Sequence, residues 1–286
     1  TADSGSADDS AATGPIRIGA KAFTEQYILM SLLEQSMAAR GLASKRVESL
    51  GSNIVFDALS NGDIDVYIDY SGTLWANAMK RTQVPARWRV LAEMDSWLAR
   101  EHGIRNLGAL GFENAYALVM RRDRAAELGI TTIGDLARVA PELAMGADFE
   151  FYSRPEWTKL RDTYGLSLRD RKSYDPTLMY PAVVEGEVDV ITAFSSDGRI
   201  AAYDLVILED PREALPPYDA VLLLAPAVAD RRDLVAALTP LVGTISVATM
   251  QQANLMVDRK DGKKSPTEAA RWLLGQISGP SEPPTQ

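Results

Sequence analysis

The chain predicts an α/β protein of two lobes, each a mixed, largely parallel sheet flanked by helices. Three observations carry that expectation. Short apolar runs of strand character alternate with amphipathic helical stretches along most of the chain, the pattern that builds βαβ units. The 286 residues, 46% of them hydrophobic, exceed the roughly 100–200 of a single domain. Finally, ALSNGDIDVYIDYSG (58–72) aligns without a gap on AVVEGEVDVITAFSS (182–196), as if one helix-to-strand unit served each half.

The elements follow in order. IRIGA (16–20) is a short alternating strand. A helix begins near Thr24, which is placed to cap it, with Glu25 favourable in the first turn and Tyr27, Met30, Leu33 and Met37 forming a buried stripe. RVESLG is a strand, 52–60 a helix, and DIDVYIDY a strand whose alternation stops at Tyr70, before Ser71, Gly72 and Thr73. WRVLAEMDSWLAREHG reads as an amphipathic helix, AYALVM as a buried strand and TTIGDLARV as a short capped helix. The second half repeats the plan: strand ELAMGA, helices in PEWTKLRDTYG and DPTLMYPAVVEG, strands EVDVITA, DLVILED and AVLLLA, then helical stretches at 230–242, 245–258 and 266–276.

Composition excludes several classes. A net charge of −9, with 30 basic residues scattered among 39 acidic ones, argues against nucleic acid as a partner. No run of 18 or more apolar residues is present to span a bilayer. The absence of cysteine removes thiolate chemistry and disulfides, and His102, on a helix end, fits an ordinary surface or capping role. The small, polar and acidic first fourteen residues suit a flexible leader over 1–14, either an envelope tether or an expression remnant; residues 277–286 read as a tail.

In the internal repeat, Gly62 and Gly186 are placed to end a helix in a left-handed turn, and Tyr70 and Phe194 follow at the same spacing. Ligands of open α/β sheets bind outside the carboxyl ends of strands, so the two rings are expected to face one another across a cleft. Aromatic faces suit a quaternary ammonium, which has no N–H to donate and whose diffuse charge matches the ring. Asp63, Asp65 and Asp69 share one face of a strand; a solvated edge or loop contacts are the expectation there, rather than a metal cluster.

IRIGAKAFTEQYILMSLLEQ, ALSNGDIDVYIDYSGT, LGFENAYALVMRRD, DPTLMYPAVVEGEVDVITAFSSDGRIAAYDLVILEDP and PPYDA give the chain, from about Ile16 to Leu274, a resemblance to a known family. It resembles the substrate-binding proteins of ABC importers for quaternary ammonium osmoprotectants such as glycine betaine, choline and carnitine. The resemblance implies a type II periplasmic-binding-protein-like fold, hinged between lobe 1 (15–117 and 217–276) and lobe 2 (118–216). It implies an aromatic box of Tyr70, Tyr116, Phe194 and Tyr218, polar pocket contacts from Thr73 and Asn114, and carboxylate anchors at Lys21 and Arg154. Phe194 stands where the family usually has tyrosine, keeping the π face and losing a hydroxyl. Arg199, near another pocket wall, competes with Arg154 for the anchor role.

Two basic anchors favour a zwitterion over plain choline, because a buried carboxylate needs charge-assisted partners. Glycine betaine or a longer betaine is the expected ligand. No cofactor is implied. The expected partner is the membrane permease of an ABC importer, and the expected state an extracytoplasmic monomer, lipid-anchored through a removed N-terminal segment. An enzyme is disfavoured, since no G-x-S-x-G, P-loop, H-E-x-x-H or dinucleotide glycine fingerprint is present. The alternative is a sensory module for the same or a related ligand, including choline, carnitine, ergothioneine or a larger aromatic compound.

Overall fold

The computed structural model of the chain describes residues 14–278, apart from positions 84 and 150. The expected leader and tail lie outside those residues, except for Gly14 and for residues 277 and 278, which close the last helix.

The first strands and helices are β1 (Ile16–Lys21), α1 (Thr24–Ala38), β2 (Ser44–Leu50), α2 (Ser52–Asn61) and β3 (Val66–Tyr70). A helical turn α3 (Ser71–Thr73) then runs into a π-helical turn, Leu74–Ala78. After it come α4 (Arg87–His102), β4 (Arg105–Glu113), β5 (Tyr116–Arg121), α5 (Arg122–Leu128), α6 (Ile133–Val139) and β6 (Ala144–Asp148). The chain continues through α7 (Pro155–Tyr164), β7 (Asp170–Tyr174), α8 (Pro176–Val184), β8 (Val190–Phe194), α9 (Gly198–Ala202), β9 (Leu205–Ile207) and β10 (Asp219–Leu224). It ends in α10 (Arg232–Leu238), α11 (Val247–Asp258) and α12 (Pro266–Ser278).

These strands form two five-stranded sheets of matching plan, β2-β1-β3-β10-β4 and β7-β6-β8-β5-β9. In the first, β2, β1 and β3 are parallel while β10 runs antiparallel to both neighbours; in the second, β7, β6 and β8 are parallel while β5 is antiparallel to both. The sheets are thus mixed as expected, but parallel and antiparallel pairings are equal in number rather than largely parallel. The physical reason is the double crossing: β5 and β10 are the strands the chain enters on changing sheets. The changes fall between Glu113 and Tyr116 and between Ile207 and Asp219, so Tyr116 and Ala117 stand in the second sheet.

The internal repeat is structural. Strands β3 and β8 hold the same place in their sheets, each after a helix ended by a glycine, Gly62 at φ 75° and Gly186 at φ 78°. That left-handed conformation costs an L side chain and costs glycine little. Beneath the first sheet, Met30, Leu33 and Met37 of α1 are buried as the stripe predicts and Tyr27 is half-buried. Ile28, Leu29 and Leu32 are buried too, because α12 covers a second face of the helix. Strand β10 is buried along its whole length, which its unbroken apolar run anticipates for a strand covered on both faces. A second core gathers Leu118, Met120, Met145, Phe151, Trp157 and Leu160.

Three local expectations change. Phe23, in extended conformation, caps α1 without a side-chain bond, and the Thr24 hydroxyl donates to Asp258 instead. Thr132, by contrast, forms a full capping box with Asp135. Of the acidic residues of DIDVYIDY, Asp63 is exposed as expected, but Asp65 and Asp69 are buried. Asp65 accepts two hydrogen bonds from the Arg17 guanidinium, at 2.8 and 3.0 Å, and Asp69 is buried against Lys21. Among the described residues no group of three or more His, Asp or Glu side chains is gathered to hold a metal. His102 packs half-buried against Trp97 and Phe56, with ring centroids 4.4 and 5.1 Å away.

Candidate functional site

The carboxyl ends of β3 and β8 and the start of β5 border one cavity of about 860 Å³, towards the upper end of the roughly 300–1,000 Å³ of small-molecule sites. Six of the sequence-predicted residues line it: Thr73, Asn114, Tyr116, Arg154, Phe194 and Tyr218. Both sheets contribute to the wall. Thr73 follows β3 and Tyr218 precedes β10, whereas Tyr116 and Phe194 belong to β5 and β8.

Register sets the aromatic pair. Tyr116 lies directly opposite Phe194 in the antiparallel β5–β8 ladder, which brings their ring centroids to 4.8 Å with planes at 34°. Phe151 backs Tyr116 at 5.2 Å, while Phe194 is 48% exposed and presents its other side to the cleft. The Arg154 guanidinium stands 5.3 Å from the Tyr116 centroid and is held by Glu156 at 3.0 and 3.2 Å. Burial pushes the Tyr116 hydroxyl up to about 12 against the opposing pull of Arg154. Hydrogen bonding to Glu156 holds the Arg154 pKa above its ordinary value.

Tyr218 is fixed from the first sheet. The Asn114 N–H donates to its carbonyl at 3.0 Å, and its ring rests on Gly72 so closely that a Cβ there would lie 2.7 Å from two ring carbons. Only glycine permits that approach. Burial also raises the Tyr218 hydroxyl pKa.

Lys21 and Tyr70 are absent from that wall. The Lys21 ammonium forms a buried ion pair with Asp69, which also accepts the Tyr67 hydroxyl, and it sits 5.4 Å from the Tyr70 ring centroid. A buried ammonium demands such a partner, so its charge is matched within the first lobe and not directed into the cleft. Tyr70 is 4% exposed, beneath Phe23, and its hydroxyl donates to Glu25 at 2.5 Å. Burial, reinforced by Glu25, holds the Tyr70 hydroxyl pKa well above its ordinary value. The expected meeting of Tyr70 and Phe194 across the cleft is replaced by an indirect link, from the Tyr70 hydroxyl through Glu25 and Asn254 to the Ser196 carbonyl just after Phe194. Arg199 lies over Tyr180 at 4.2 Å, bonds Asp197 and lines a neighbouring cavity of about 380 Å³.

The sequence reading missed part of the wall. The π-helical turn after Thr73 brings Trp75 to the cavity, its indole N–H bonded to the Gln83 carbonyl at 2.8 Å, with the Arg81 guanidinium 5.9 Å from its ring. Arg81, exposed, makes no ion pair among the described residues. The signal available was a tryptophan two residues beyond Thr73, in SGTLWANAMKR.

Two similar sheets joined by crossings, with an aromatic and basic cavity at their strand ends, define a two-lobed solute-binding protein. Residues 14–276 match the family described as the substrate binding domain of ABC-type glycine betaine transport systems, and the chain belongs to that family. It is a binding component, not an enzyme. It is 30% identical to a glycine-betaine-binding protein of Pseudomonas aeruginosa, over 85% of this chain and 82% of that protein. It is 28% identical to an ergothioneine transport permease/ergothioneine binding protein of Helicobacter pylori, over 92% of this chain, and spans 48% of that longer relative. A crystal structure described as that of a glycine betaine/carnitine/choline ABC transporter superposes with a TM-score of 0.86 at 26% identity, over 91% of this chain and 98% of that one.

Proposed function

We propose that the chain is the extracytoplasmic component of an ABC importer that captures a trimethylammonium zwitterion, glycine betaine or a longer betaine. The observation that carries this reading is the exposed Phe194 face beside Tyr116 in one cavity wall with Tyr218, next to the other sheet, and two guanidinium groups. Cation–π contacts are worth roughly 0.5–1 kcal/mol when exposed and about 2 when desolvated, so three faces supply up to about 6 kcal/mol. Micromolar affinity needs about 8 kcal/mol, and charge-assisted bonds to a carboxylate make up the difference. In this reading Arg154 and Arg81 hold the carboxylate, Thr73 and Asn114 add polar contacts, and Lys21 and Tyr70 support the site from beneath. Closure of the lobes over the ligand would complete the box and present the liganded form to the permease.

Calorimetry against glycine betaine, carnitine, choline and ergothioneine tests the reading. Arg154→Ala is expected to weaken the carboxylate-bearing ligands far more than choline, and equal losses would refute the anchor role. A larger aromatic betaine is the second reading, favoured by the cavity volume, by Trp75 and by the likeness to an ergothioneine binding protein. A preference for ergothioneine above tenfold over glycine betaine would select it.

A further inference from the structure

We propose that Glu25 is a positioning residue that couples the ligand-facing side chains to the placement of the second lobe. The inference rests on the two-lobed binding reading above. Glu25 is 3% exposed, and no Lys or Arg among the described residues pairs with it. Three donors satisfy its carboxylate instead: the Tyr70 hydroxyl and the Asn114 amide reach Oε1 at 2.5 and 3.1 Å, and the Asn254 amide reaches Oε2 at 2.8 Å.

Each donor belongs to a different part of the molecule. Tyr70 ends β3, Asn114 lies on the crossing between the sheets and in the cavity wall, and Asn254 belongs to α11. The Asn254 amide also donates to the Ser196 carbonyl at 2.8 Å, while Gln251 donates to the Ser195 carbonyl at 2.7 Å. Both carbonyls follow Phe194 directly at the end of β8. Gly198 lets α9 close on α11, since a Cβ there would meet the Leu255 nitrogen at 2.5 Å. The end of β8, with its exposed ring, is therefore fastened to α11, and α11 is tied through Glu25 to Tyr70 and Asn114.

The charge is what organises this hub. An ionised carboxylate only accepts, so it can face three donors at once, whereas a glutamine would turn N–H groups toward at least one of them. It also sets which way two amides point. The Oδ1 atoms of Asn114 and Asn254 are buried without a hydrogen-bond partner, and reversing either amide would set that oxygen against the Glu25 carboxylate. Replacing the charge removes the reason for both orientations.

The test uses the full chain, whose lack of cysteine lets two introduced thiols, on exposed positions of α4 and α5, carry spin labels or dyes. Glu25→Gln, Asn254→Ala and the double variant are compared with the parent. Without ligand, each single variant is expected to broaden the inter-lobe distance distribution. With glycine betaine, each is expected to weaken binding about tenfold, as for a lost bond to a charged group, and the double variant no more than the worse single one. Asn254→Ala keeps the test alive should Glu25→Gln fold poorly, because it removes one neutral amide and leaves the carboxylate in place. A parent that binds no betaine would refute the ligand assignment alone, since the ligand-free distances still decide the role of Glu25. Lower melting temperatures with unchanged distance distributions and dissociation constants, or fully additive losses in the double variant, would overturn the proposal.

Discussion

Truncating Phe194 to alanine separates recognition from folding, because the ring is half out of the protein. Full burial of a phenylalanine is worth roughly 1.5–3 kcal/mol. At 48% exposure about half of that is at stake. The contact with Tyr116 at 4.8 Å adds about 0.5–1.5 kcal/mol. The expected loss of stability is thus about 2 kcal/mol, a melting shift of about 4–8 °C on the scale of about 2–4 °C per kcal/mol for larger domains. Affinity should suffer more visibly. Losing a desolvated cation–π face, about 2 kcal/mol, weakens a trimethylammonium ligand about 30-fold. Calorimetric titration at fixed ionic strength reads the second effect and thermal unfolding the first. Phe194→Tyr keeps the face and should bind within about threefold of the parent. If Phe194→Ala lowers the melting temperature as expected yet binds glycine betaine, carnitine and choline within about twofold of the parent, the ring plays no part in recognition and the proposed site is wrong.

Gly72→Ala would drive a Cβ to 2.7 Å from the Tyr218 ring and the Pro217 carbonyl; overpacking of this kind costs about 1–3 kcal/mol and should weaken all trimethylated ligands in proportion, read by the same two assays. Asp69→Asn strands the buried Lys21 ammonium and is expected to cost about 3–5 kcal/mol in urea unfolding. Adding Lys21→Met and a hydrophobic residue at 69 should restore most of it, and a selective loss of zwitterion binding in that double variant would return Lys21 to the role of ligand anchor. The Tyr116 hydroxyl is raised to about 12 by burial, against about 10 when unfolded. The folded state thus keeps a proton that the unfolded state has lost, so the contribution is whole below pH 10 and disappears as pH rises towards 12. The urea midpoint should fall over that window, and less steeply in Tyr116→Phe.

Most of the elements were legible in the sequence, and two strands were not. The β4 segment RNLGALGFE carries Gly108 and Gly111 at φ 135° and 112°, packed against Val242 and the Ile245 carbonyl, so its strand character comes from neighbours and not from its own pattern. The edge strand β7, DRKSY, is polar and largely exposed, and without a buried face it shows no alternation to read. The capping box at Thr132 and the turns at Gly62 and Gly186 were readable because local backbone conformation alone dictates them.

The sequence by itself determined the alternation of strands and helices and the repeated unit ending at Tyr70 and Phe194, because each follows from short-range periodicity; the other expected side chains of the cavity wall came only from the family resemblance. Only the tertiary structure decided which charges and rings reach the cleft. Lys21 meets Asp69 because β1 and β3 pair in parallel across 48 residues of chain, and Glu25 meets Asn254 across 229. A buried charge takes whichever partner the fold brings to it, and that choice is written in the packing of distant segments, not in the spacing of near ones.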